Sequence, residues 1–181
     1  MRNVKWGFVA LSVMTALVLF SGPTRAEQDE GNVVKWDAII GVAAPGSLVG
    51  GFQPFGFPSV FPLVAQDGKA WVHLQTGHVK FSVRGLVLAN STALAVAGTT
   101  GVVEQVMGTL VCNGLTGPSD SADTPAVPLD PQGNANFVGA INVPTACLIT
   151  PDKLAFLIRV AKATVQPAEG KWIAVGVVRT P

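Results

Sequence analysis

Two histidines, two cysteines and 11 acidic side chains hold most of the chemistry this chain could perform. His73 and His78 stand five residues apart. On one straight strand that spacing sends them to opposite faces. If Thr76 and Gly77 form a two-residue turn, the imidazoles become diagonal neighbours on one face, about 7–8 Å apart. A pair so placed could begin a Cu or Zn site, with Asp67 or Glu104 as a third ligand. The plainer reading is two partly exposed surface histidines. The expectation is therefore no cofactor, with Cu or Zn as the alternative.

Other reactive constellations are weakly marked. There is no G-x-S-x-G elbow, and Ser59 sits in Pro-Ser-Val. There is no H-E-x-x-H pattern and no Gly-rich phosphate loop between a strand and a helix. Glycosidase chemistry needs two facing carboxylates, and no pair is singled out by an apolar flank. Asp120, Asp123 and Asp130 could hold Ca²⁺, but their spacing is not that of an EF-hand loop. Otherwise they are solvated loop acids. Cys112 and Cys147 form no C-x-x-C motif, which argues against a redox dithiol. In an oxidising compartment an even pair reads as one disulfide. It would close a loop of about 36 residues, worth roughly 4 kcal/mol in the chain-entropy model. Two buried free thiols are the rival reading.

The elements that must position these groups begin after a targeting segment. Arg2 and Lys5 precede an uncharged, mostly apolar run over residues 6–20, followed by Ser21, Gly22 and Pro23. Thr24 and Ala26 put small residues at the −3 and −1 positions of a cleavage site. This is the pattern of a secretory signal peptide over residues 1–26. Removing Arg2, Lys5 and Arg25 from 12 basic residues leaves nine against 11 acidic ones, a net −2. That charge gives no reason to expect nucleic-acid binding. No second apolar run is long enough to span a membrane after signal removal. The expected location is periplasmic or extracellular.

Charged residues make up 13% of the chain, against an average of about 25%. Low charge and high hydrophobicity argue against disorder. With 20 Gly and 13 Pro, a helical bundle is excluded. Residues 27–32 are acidic and read as a flexible tail, and residues 33–181 as a single domain. Residues 33–40 form a first strand anchored by Trp36. Residues 78–89 alternate, with Phe81 and Val83 on one side and Lys80, Ser82 and Arg84 on the other. Residues 102–112 place Glu104, Val106, Leu110 and Cys112 on one face. Asp67-Gly68 predicts a hairpin turn between residues 63–65 and 70–75. Asp130-Pro131-Gln132-Gly133 matches a type I turn. Residues 113–124 read as a polar loop. Residues 154–165 and 171–179 form a last strand pair, although 154–163 is also the best helix candidate. The fold expected is an all-β, antiparallel, immunoglobulin-like sandwich of about eight or nine strands. The disulfide would tie a strand end to a later loop.

One stretch breaks the pattern. Residues 41–62 mix Gly, Pro and Phe, which suits an irregular excursion rather than a sheet interior. Phe52, Phe55, Phe57 and Phe61 could fold back as a lid or present an apolar contact surface for a partner, another copy or a lipid. The segments VKFSVRGLVLA (79–89), GTLVCNG (108–114), DTPAVPLDPQGNANFVG (123–139) and LAFLIRVA (154–161) resemble a loose set of uncharacterised small exported bacterial β-sandwich proteins. That resemblance implies an exported single domain with one Cys pair and carries no activity. The expected function is a non-enzymatic binding or envelope/matrix structural module. The alternatives are an exported metal-binding protein using His73 and His78, and a small exported hydrolase.

Overall fold

The computed structural model describes residues 32–42, 63–89, 96–112, 120–164 and 169–180. Alternation of apolar and polar residues marks some of the long strands, and runs of buried apolar residues mark the others. β1 (Val33–Gly41) buries Val34, Trp36 and Ile39. β2 (Leu63–Val64) is short, and β3 (Asp67–His73) buries Ala70 and Val72. β4 (His78–Arg84) buries Val79, Phe81 and Val83 and exposes Lys80 and Arg84, the alternation its sequence predicts. β5 (Val87–Leu88) precedes β6 (Val103–Val111). β7 (Ser121–Asp123), β8 (Val127–Pro128) and β9 (Ala135–Ala140) follow. After β9 come a five-residue helix α1 (Thr145–Ile149) and a 3-10 turn (Pro151–Lys153). β10 (Ala155–Ala163) and β11 (Trp172–Thr180) complete the described chain. Residues 155–163 are thus strand and not helix, paired antiparallel with the strand that follows.

Nine strands form one antiparallel sheet in the order β7-β6-β10-β11-β1-β3-β4-β9, with β8 also on β6. β2 and β5 make a separate pair. The sheet curls until its halves face each other, which gives the sandwich-like all-β fold expected. Phe81 on β4 and Phe156 on β10 lie far apart in strand order, yet their ring centroids are 5.9 Å apart. Trp36 stands 5.4 Å from Phe156, and Phe137 stands 6.0 Å from Phe81. Aromatic pairs at such distances add to the burial of their own area. Two glycines make room for the rings. A Cβ on Gly108 would come within 2.6 Å of Phe156, and one on Gly176 within 2.8 Å of Trp36. A smaller cluster of Val42, Val111, Leu157 and Trp172 is buried apart from this core.

Two turn readings meet different fates. The Asp130 turn forms as read: the Gly133 N–H donates to the Asp130 carbonyl at 2.8 Å, and Gly133 takes φ 79°. The Asp67-Gly68 hairpin does not form. Both residues lie inside β3, where Asp67 pairs with Arg84 and Gly68 with Val83. Leu63 and Val64 pair instead with Leu88 and Val87 of β5. The reason for glycine there is packing, since a Cβ on Gly68 would stand 2.6 Å from the Ile39 side chain. The chain turns later, at residues 74–77, where the Gly77 N–H donates to the His73 carbonyl at 2.9 Å. A second correction concerns the stretch read as a polar loop. Its end is β7, paired to β6 through Thr109 and Asp123.

The cysteines are joined, Cys112 to Cys147, with Cα atoms 4.8 Å apart and both side chains fully buried. Cys112 directly follows β6, as expected. Cys147 lies on α1 rather than in an open loop.

Candidate functional site

The β3–β4 hairpin brings the two histidines together. The register that pairs Val72 with Val79 sets His73 across from His78. Their environments differ. His73 is 9% exposed, and its Nδ1 accepts the Thr76 N–H at 3.3 Å. His78 is exposed and stacks on Trp71, with ring centroids 6.1 Å apart and planes at 23°. Neither suggested third ligand joins them. Asp67 begins β3, about 20 Å from His73 at the usual strand rise of about 3.3 Å per residue. Glu104 lies on β6 in an ion pair with Lys162 at 2.7 Å. Among the described residues no three His, Cys, Asp or Glu side chains group as metal ligands do. Phe52, Phe55, Phe57 and Phe61 lie outside the described residues.

Several acids are engaged within the fold. Asp130 Oδ1 accepts the amides of Gln132 (2.9 Å) and Asn134 (2.8 Å), and Oδ2 accepts the Asn134 side-chain amide at 3.0 Å. These bonds, led by the Asn134 backbone amide, hold its pKa below the ordinary aspartate value. Asp123 accepts the Thr109 hydroxyl and pairs with Arg159 Nη1 at 3.2 Å. Arg159 Nε also donates to the Gly170 carbonyl at 2.9 Å. The Glu104 carboxylate hydrogen-bonds and attracts the Lys162 ammonium, which raises the lysine's pKa above its usual value. On the β6–β10 half of the sheet, Arg159 and Lys162 therefore each have an acidic partner.

The β1–β3–β4 half is different. Its core-facing positions hold Trp36, Ala70, Val72 and Phe81, so the alternate positions face outward. The register places Lys35 beside Trp71, Trp71 beside Lys80, and Lys80 beside Val138. Neighbouring strands run about 4.8 Å apart, so two ammonium groups flank one indole across the sheet. Lys69 lies two residues along β3 on the same face. Lys35, Lys69, Lys80 and Arg84 are exposed, Trp71 is half-buried, and Val138 is 62% exposed. Among the described residues, none of these four cations makes an ion pair. Asp67 lies across from Arg84, and Asp37 stands two residues along β1 from Lys35. The cross-strand row from Lys35 through Trp71 and Lys80 to Val138 thus holds two cations and no acid.

Sequence reading missed this row. The alternation of Lys80 and Arg84 was visible, but the strand pairing that sets Lys35, Trp71 and Lys80 side by side is not a local property. Fold and face together describe an all-β, disulfide-bonded domain with a cationic strip around an aromatic ring. No family model, curated protein or solved structure matches the chain.

Proposed function

We propose that the chain is an exported, non-enzymatic binding module of a cell envelope or matrix. Its partner would dock on the outer face of β1, β3 and β4. The observation that carries this reading is the contrast between the two halves of the sheet. Arg159 and Lys162 on β10 are matched by acids, while among the described residues Lys35 and Lys80 flank Trp71 with no ion pair. Fixed charge left uncompensated on a rigid sheet favours an oppositely charged partner. Export is supported by the signal-like first 26 residues and by the disulfide, which persists in oxidising compartments. Among the described residues no helix is long and apolar enough to cross a membrane. The resemblance to small exported bacterial proteins points the same way. Copper or zinc binding at His73 and His78 is the alternative that the facing positions of the two residues keep open.

The test is co-sedimentation of the purified secreted protein with envelope fractions of its native host. The wild type should pellet with the envelope, and Lys35→Glu with Lys80→Glu should remain soluble while folding normally. A wild type that stays in solution, or a double variant that pellets equally, overturns the reading.

A further inference from the structure

We infer that the ligand of this face is an acidic polysaccharide whose carboxylated sugar rings lie across the strands. The inference rests on the binding-module reading and names its substrate class. Lys35 and Lys80 stand on either side of Trp71 in one cross-strand row, separated by two strand spacings of about 4.8 Å each. A sugar ring can lie on the half-buried indole while carboxylates on that ring or its neighbours meet the two ammonium groups. The C–H face of a pyranose suits an aromatic surface, and the lysines supply charge-assisted hydrogen bonds. His78, its ring centroid 6.1 Å from that of Trp71 and its plane within 23°, adds a second aromatic ring along the hairpin. Lys69 on β3, with Ser82 and Asn136 beside it in the next row, adds donors for hydroxyls or a further carboxylate.

Other anionic partners fit less well. A lipid surface would call for apolar side chains projecting beyond the lysines, and between Lys35 and Val138 the one exposed apolar side chain is Val138, which is shorter than a lysine. An acidic peptide would use the charges but has no need of a half-buried indole between them. The four cations are joined on the face by Asp37 and Asp67, so the field is local and ring-sized rather than the broad basic surface that a nucleic acid requires.

Affinity electrophoresis of the full secreted protein through gels containing polygalacturonate or hyaluronate tests this. Neutral dextran and polyglutamate serve as comparison polymers, and phosphatidylglycerol vesicles are assayed by flotation. Wild type should be retarded by an acidic glycan and much less by dextran or polyglutamate. Lys35→Gln with Lys80→Gln should weaken retardation about tenfold, as expected for loss of charge-assisted bonds. Trp71→Val should abolish it; the exposed lysine variants keep the test sound if that variant folds poorly. Equal retardation by polyglutamate with no effect of Trp71→Val, binding to vesicles only, or no retardation by either acidic glycan would overturn the glycan assignment. Lysine-dependent envelope co-sedimentation would survive those outcomes, so the two readings can fail separately.

Discussion

A Cβ at position 108 would stand 2.6 Å from Phe156 and 2.8 Å from Phe81, the two rings that join the halves of the sheet. Gly108→Val should therefore force the rings apart and destabilise the fold by about 1–3 kcal/mol, the usual range for overpacking. Chemical denaturation measures this, and an unchanged midpoint would mean that the rings can shift without loss. Asp130 makes a second prediction at this scale. Its carboxylate is held ionised by amides, so its stabilising effect is present above the unfolded carboxyl's pKa, about 3.9. It is lost as pH falls through the lower folded value. Below about pH 4 the stability of Asp130→Asn should vary less with pH than that of wild type. A carboxyl titration at Asp130 with an ordinary midpoint would contradict this. These single-residue roles were partly legible. Asp-Pro-x-Gly announces its own turn because every bond in it is local. Gly108 announces nothing, because its reason lies in rings from two distant strands.

At the scale of elements, α1 needs outside support. Isolated helices shorter than about 12–15 residues are marginal in water, and this one has five residues and no side-chain cap. Cys147 buries its one fully enclosed side chain and ties it to the end of β6 across 35 residues of chain. Replacing both cysteines with serine should cost about 2–5 kcal/mol and release the α1 amides to faster hydrogen exchange. Identical melting with and without reductant would remove the staple from the account. The strands show where sequence reading succeeds and stops. β1, β4, β6, β10 and β11 were visible because alternation or β-branched density marks each one. β7 was hidden in a polar run, since its pairing relies on Thr109 and Asp123 rather than on an apolar face. The Asp67-Gly68 hairpin was misread because that dipeptide has two uses: a turn, or, as here, a strand position where Ile39 leaves no room for a side chain.

For the whole molecule, the sheet's curl decides what is available to a partner. The concave side is filled by Trp36, Phe81, Phe156 and their neighbours, so recognition falls to the convex side and the loops. On that side Arg159 and Lys162 of β10 have acidic partners, while among the described residues Lys35 of β1 and Lys80 of β4 make no ion pair. Overall charge could not reveal this, because a near-neutral total hides a local strip. The face was illegible in sequence for the same reason as the ring contacts: it is made by register. The measurement that bears most directly on it is lysine acetylation footprinting, with modified sites read by mass spectrometry. The secreted protein is labelled with and without the host's envelope fraction. Lys35 and Lys80 should lose most of their labelling when the envelope is present, while Lys153 and Lys171 keep theirs. Uniform labelling, or protection confined to Lys153 and Lys171, would contradict this.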